Sequence, residues 1–126
     1  MSIPDILFLI AGGLCAVMAL LHELKGSPLV LPPLSGSALP DSVAGLHAFS
    51  WHAGTVLAFG MASLFALAVW HPAGDVFAIV ATIMSGGMGA IAIALATVKH
   101  KALWGTPAPY PWNVIALTGL VGVLLG

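Results

Sequence analysis

Four long apolar runs, separated by segments that hold most of the polar residues, set the strongest limit on the fold of this chain. An α-helix rises 1.5 Å per residue, so about 20 apolar residues are enough to cross the hydrocarbon core of a bilayer. The runs cover about residues 4–23, 43–70, 76–98 and 112–126. We therefore predict an all-α fold: an integral membrane bundle of four transmembrane helices, forming a single domain over residues 1–126.

The low charge of the chain excludes several classes of protein and partner. Of its 126 residues, 60% are hydrophobic and only 6% are charged, which is too little polar surface to cover a water-soluble domain. Three lysines, no arginine and four carboxylates leave a net charge of -1, so no basic face is available for nucleic acid. The expected partner is the lipid bilayer, and the residues point to no nucleic acid and to no soluble substrate.

The connecting segments predict which helices are neighbours. WHPAGD, residues 70–75, contains Pro72 and Gly74 as helix breakers, so the second and third helices should form an antiparallel hairpin. KGSPLVLPPLSGSALPD, residues 25–41, contains four prolines, from which we predict no regular helix. Because this segment also contains several leucines, we expect it to lie along the membrane surface or to fold back onto the helix ends. Pro111 is well placed to begin the last helix.

The lysines predict the orientation, because cations in short loops stay on the cytoplasmic side of a membrane. Lys25, Lys99 and Lys101 fall on one side of the predicted bundle, and Asp5 and Asp75 fall on the other. We expect a bacterial-type inner (cytoplasmic) membrane, with both termini on the outer side and the two long loops inside. The last run covers only about 22 Å, less than the roughly 30 Å core, so its carboxyl end should thin the bilayer or rest against a partner.

Small residues recur at helical spacing and predict where helices approach closely. Lipid is as apolar as leucine, so no hydrophobic effect drives helices together in a membrane, and close packing through small residues takes its place. The strongest candidates lie on the last three helices: Gly54, Ala58, Ala62, Gly86, Gly87 and Gly122. Two interpretations remain open for these residues. They either pack helices of this chain together or dock another membrane subunit.

Four of the five histidines should lie near the inner surface: His22, His47, His52 and His100. Histidine, tryptophan and lysine are common in that interfacial layer, and this interpretation needs no cofactor. The clustering also permits a haem b held by His22 with His47 or His52, or a metal site that adds Glu23. His47 and His52 point about 140° apart on one helix, which disfavours a site built from both. His52 is the best single candidate, because an imidazole inside the apolar layer requires a hydrogen bond or a ligand.

The pieces HELKG at 22–26, PPL at 32–34 and Trp-His at 51–52 resemble a family of small four-helix bacterial membrane proteins. The pattern of that family is His-x-x-x-Gly, then Pro-Leu, then Trp-His. The resemblance covers about residues 22–55 and implies no particular activity. It implies that His22, Gly26, Trp51 and His52 form one structural unit, in which Gly26 would end the first helix.

The sequence favours a protein that is not an enzyme. No carboxylate lies in the middle of a run, as a proton-coupled transporter would need, and no nucleophile elbow or catalytic triad is evident. We expect a non-catalytic accessory or scaffold subunit of a larger membrane complex, with respiratory and photosynthetic electron-transfer assemblies as the leading class. The alternative is a small membrane protein that binds haem b or a metal through its inner-side histidines.

Overall fold

The computed structural model describes residues 1–126 and is all-α, with 86% of the residues in helices and no strand. In chain order the elements are α1 (Ile3–Leu21), a π-helical turn (His22–Gly26), α2 (Ser27–Ser35), α3 (Asp41–Trp70), α4 (Gly74–Val98), a 3₁₀ turn (Lys101–Gly105) and α5 (Pro111–Leu125). The predicted all-α class is confirmed. The four helices α1, α3, α4 and α5 form the bundle, and α2 extends from one of its ends.

Local sequence signals explain where the bundle helices begin and end. At the start of α1 the Asp5 amide donates to Ser2 Oγ at 3.3 Å, and the Ser2 amide donates to Asp5 Oδ2 at 2.6 Å. This reciprocal capping satisfies two amides that no helical carbonyl can reach. At the other end of the bundle α5 begins at Pro111, as predicted, because a first-turn proline has no amide to satisfy.

The proline-rich segment is a helix, so the prediction that residues 25–41 contain no regular helix is wrong. Ser27–Ser35 is α-helical, with Pro32 and Pro33 inside it. Gly26 likewise does not end the first helix, because the chain continues as one helical segment from Ile3 to Ser35. The two inner prolines remove two amide donors, and α2 ends two residues after them.

The π turn explains how the helix passes into this proline-rich segment. The amide of Ser27 donates to the carbonyl of His22, five residues earlier, instead of to the residue four positions back. A proline ring in an α-helix clashes with the carbonyl four residues before it. The wider turn directly before Pro28 relieves that clash, so the chain stays helical where a proline normally stops it.

The four long helices form a closed ring of antiparallel neighbours. α1 packs against α3 and α5, and α4 packs against α3 and α5. The predicted hairpin of the second and third runs is therefore confirmed as α3 and α4, across which Ser85 Oγ contacts Met61 Sδ at 3.4 Å. α1 lies diagonally opposite α4, and α3 lies diagonally opposite α5.

The distribution of side chains is the reverse of that in a water-soluble bundle. The buried core consists mainly of small residues, filled out by Phe8, Met61, Phe65 and Ile115. Thirty-five large hydrophobic side chains are exposed, and they lie on all the long helices. Three helical segments, Ile3–Ser35, Asp41–Trp70 and Gly74–Val98, are long and apolar enough to cross a membrane, and Pro111–Leu125 is a shorter apolar helix.

Most of the small residues singled out in the sequence pack helices of this chain against one another. A Cβ atom on Gly122 would lie 2.5 Å from Phe8 Cε1, and one on Gly86 would lie 3.8 Å from the Ala116 Cβ. Ala58 is buried, and a Cβ on Gly12 would lie 3.2 Å from the carbonyl oxygen of Ala62. Gly87 differs from these residues, because a Cβ there would have no other atom within 4 Å.

The short helix α5 is level with α1 at the end where both termini lie. A Cβ on Gly126 would lie 3.7 Å from the Pro4 Cβ, so the last residue of the chain reaches the first turn of α1. Within the bundle the carboxyl end of α5 is therefore not shorter than α1, and the expectation that it thins the bilayer or rests against a partner stays a prediction. The helix α5 is shorter than its neighbours at the opposite end of the bundle, where residues 106–110 form turns instead of a further helical turn.

Candidate functional site

The candidate site lies where the π turn and the first turn of α2 face α3. The π turn contributes His22 and Glu23, two consecutive residues that both reach the same neighbouring helix. A π turn rotates successive side chains by a smaller angle than an α turn, which allows this shared direction. From α3 come Trp51 and Thr55, one helical turn apart on the same face, and His52 beside them.

The Glu23 carboxylate is the centre of the hydrogen-bond network. Thr55 Oγ1 donates to Glu23 Oε2 at 2.8 Å, and Ser27 Oγ donates to Glu23 Oε1 at 3.2 Å. Nδ1 of His52 lies 3.0 Å from Oε1 and 3.2 Å from Oε2 of the same carboxylate. The side chain of Glu23 is 35% exposed and that of His52 is 52% exposed, so the pair sits at the rim of the bundle.

The network defines which nitrogen of each histidine carries its proton. The one hydroxyl hydrogen of Thr55 is used toward Glu23, so Thr55 Oγ1 accepts from His22 Nδ1–H, 3.0 Å away. A carboxylate only accepts hydrogen bonds, so His52 also presents Nδ1–H toward Glu23. In the neutral form both histidines therefore keep Nε2 as a free lone pair, the arrangement that metal-ligating histidines use.

Trp51 joins the network to the helical backbone. Its ring stacks on that of His22, with centroids 3.9 Å apart and planes at 15°, and its Nε1–H donates to Ser27 Oγ at 2.8 Å. A Cβ on Gly26 would lie 2.7 Å from Trp51 Cζ2, and one on Gly54 would lie 3.6 Å from His22 Cε1. Glycine at position 26 is thus the residue that lets the indole ring lie against the π turn.

The structure brings His22, Gly26, Trp51 and His52 into one contact group and leaves His47 outside it. His47 is exposed on α3, and its side chain makes no hydrogen bond. From the sequence Glu23 is predicted only as an added metal ligand, and Thr55 and Ser27 are not predicted as site residues. The signal in the sequence is helical spacing. Thr55 follows Trp51 by four residues and Ser27 follows Glu23 by four, so each pair lies on one face of a helix.

The arrangement of the site favours a structural or two-histidine role over a metal centre. No group of three or more His, Cys, Asp or Glu side chains is placed to hold a metal ion. Two cavities in the bundle have volumes of about 340 and 300 Å³, and no histidine lines either of them. What the network does directly is connect the π turn and the first turn of α2 to α3 through four side-chain contacts, two of which end on the Glu23 carboxylate.

The chain was compared with models of protein families, with curated proteins and with solved structures, and none of them matches it.

Proposed function

We propose that this chain is a multi-pass protein of a bacterial-type inner membrane and acts there as a non-catalytic accessory or scaffold subunit of a larger membrane assembly. The membrane location rests on the large hydrophobic side chains exposed around the bundle. A water-facing surface with so many of them would aggregate, whereas a lipid-facing surface would be stable. The proposed orientation places both termini outside and the lysine-bearing loops inside.

Cysteine labelling in intact cells tests the orientation. The native Cys15 is buried in the bundle, so it leaves a low background. We expect an impermeant thiol reagent to label a cysteine at position 75 and to spare cysteines at positions 25 and 100. Labelling of positions 25 and 100 with protection of position 75 would reverse the orientation.

The subunit proposal rests on one observation, a small-residue strip on the outer face of α4. Gly87, Ala90 and Ala94 follow at helical spacing, and all three are exposed. Ile83 and Ile91, also exposed, flank Gly87 one turn before and one turn after it. Strips of this kind let another transmembrane helix approach closely, and the other glycines on α4 and α5 are already used inside the chain.

Purification in mild detergent, followed by native mass spectrometry, tests the subunit proposal. We expect the wild-type chain to be detected in complexes with larger membrane proteins. The variant Gly87→Trp should lose these partners, because the tryptophan side chain fills the strip. Gly60→Trp is the matched control, because Gly60 on α3 is equally open. A monodisperse monomer, or equal loss of partners in both variants, would contradict the proposal.

A second candidate function is haem b binding, and the observation that favours it is the free Nε2 lone pair on both His22 and His52. Haem iron accepts imidazole nitrogens as axial ligands. If the chain binds haem, the purified protein has a Soret band that disappears in His52→Ala and persists in His47→Ala. A colourless preparation with intact stoichiometry excludes this function and leaves the subunit proposal in place.

A further inference from the structure

The short helix α2 is the least embedded helix of the fold. It packs against α3 and makes no comparable contact with α1, α4 or α5. None of its nine residues is buried, whereas each of the four bundle helices has buried residues. Segments with few buried contacts open at a lower free energy than the core of a fold. Local opening of the chain is therefore expected first at α2.

The backbone of α2 is also held by few hydrogen bonds. Pro28, Pro32 and Pro33 have no amide hydrogen, so three of its nine residues donate nothing to the helix. The π turn precedes α2, and residues 36–40 follow it as turns and bends. Both ends of α2 are thus irregular, and irregular positions at the ends of an element absorb the change of backbone angles when the element moves.

The apolar contact between α2 and α3 is narrow. Ser27, Leu31 and Leu34 are the half-exposed residues of α2, and their spacing places them on one face of the helix. Ser27 meets Trp51, so in this antiparallel pair the two leucines fall at the level of the first turns of α3. The half-exposed residues there include two alanines one turn apart, at positions 44 and 48. Two leucines against small side chains bury little apolar surface.

The side-chain hydrogen bonds that join α2 to other elements all end on its first residue. Trp51 Nε1–H donates to Ser27 Oγ at 2.8 Å, and Ser27 Oγ donates to Glu23 Oε1 at 3.2 Å. Further along the segment, the hydroxyls of Ser35 and Ser37 donate to backbone carbonyls of α2 itself. The Ser27 clasp, which consists of the two hydrogen bonds of this hydroxyl, is therefore the polar connection between α2 and α3.

We propose that α2 is a strap that opens away from α3, moving about the π turn and residues 36–40, and that the Ser27 clasp sets how often it opens. Glu23 links the clasp to the candidate site, because the same carboxylate accepts a hydrogen bond from Thr55. Opening takes the Ser27 hydroxyl away from Trp51 and uncovers the face of α3 that α2 covers. The inference concerns movement within one chain and does not depend on the proposed subunit role.

Hydrogen–deuterium exchange of the full chain in detergent micelles, read by mass spectrometry, tests the strap. We expect peptides from α2 to exchange faster than peptides from α1 and α3. Ser27→Ala should raise the exchange rate of the α2 amides by about threefold for each of the two hydrogen bonds lost, or about tenfold in all. Ser35→Ala is the matched control on the same helix and should leave the rate unchanged, because its hydroxyl bonds within α2.

A second pair of variants separates the clasp from packing. Ser27→Thr keeps the hydroxyl and should exchange at the wild-type rate. Trp51→Phe keeps an aromatic ring on His22 and removes the indole donor, so the α2 amides should exchange about threefold faster. Exchange of α2 as slow as that of α3, or equal effects of Ser27→Ala and Ser35→Ala, would overturn the proposal. Faster exchange throughout the bundle in Ser27→Ala would also overturn it, since the opening would then be global.

Discussion

Replacement of Thr55 by valine gives the sharpest test of the hydrogen-bond network, because valine keeps the shape of threonine and removes only the hydroxyl. Thr55 is 9% exposed and faces the π turn. Its hydroxyl donates to Glu23 at 2.8 Å and accepts from His22 Nδ1 at 3.0 Å. In the variant, Glu23 keeps the hydrogen bonds from Ser27 and His52, but His22 loses its only hydrogen-bond partner.

The expected effect follows from these two lost hydrogen bonds. Hydrogen bonds between membrane helices average about 0.6 kcal/mol, with a maximum of about 1.7. We therefore expect Thr55→Val to lower the free energy of unfolding by about 1–3 kcal/mol. Thr55→Ser keeps the hydroxyl and removes one methyl group, so its loss should stay below about 1 kcal/mol.

Reversible unfolding in mixed detergent micelles, followed by far-ultraviolet circular dichroism, measures both variants. Trp51 fluorescence, isolated by replacing Trp70, Trp104 and Trp112 with phenylalanine, reports the site separately, since the Trp51 ring stacks on His22. A double-mutant cycle with His22→Phe, which keeps an aromatic ring on Trp51, should give a coupling energy of about 0.6–1.7 kcal/mol. If Thr55→Ser loses as much stability as Thr55→Val, packing explains the effect and the proposed role of the hydroxyl is refuted.

Two further predictions concern glycines and use the same unfolding assay. Gly26→Ala should destabilise the chain by about 1–2 kcal/mol, because its Cβ would lie 2.7 Å from Trp51 Cζ2; Gly13→Ala, with no atom within 4 Å, should be neutral or gain up to about 1 kcal/mol. Gly122→Ala should lose about 1–3 kcal/mol against an aromatic ring of α1, whereas Gly87→Ala should not. Equal behaviour within either pair would contradict the packing described here.

The helices themselves were largely predictable from the order of the residues. Each predicted bound lies within two residues of the helix bound in the structure, and the hairpin of α3 and α4 was expected from its turn. The exception is the segment from Ser27 to Ser35, where three prolines, with a fourth at position 40, indicated a loop. That rule fails here because the chain enters the segment through a π turn, which local composition does not reveal.

The candidate site was predictable only in part. The resemblance implied that His22, Gly26, Trp51 and His52 form one structural unit, and the structure places the four in contact. His47, a weaker ligand candidate than His52, lies outside this group. Whether a small residue packs within the chain was also open from the sequence: Gly86 and Gly87 are adjacent, yet only Gly86 contacts α5. A rotation of 100° on the helix separates an internal glycine from an outward one.

By itself, then, the sequence determined that four apolar helices form, because helical hydrogen bonds are local and each apolar run satisfies its own backbone. Only the tertiary structure decided which polar groups meet. Glu23 lies 29 residues from His52 and 32 from Thr55, and their contact depends on the register and rotation of the π turn against α3. Those two quantities come from the packing of small residues between helices, which no single run of the chain contains.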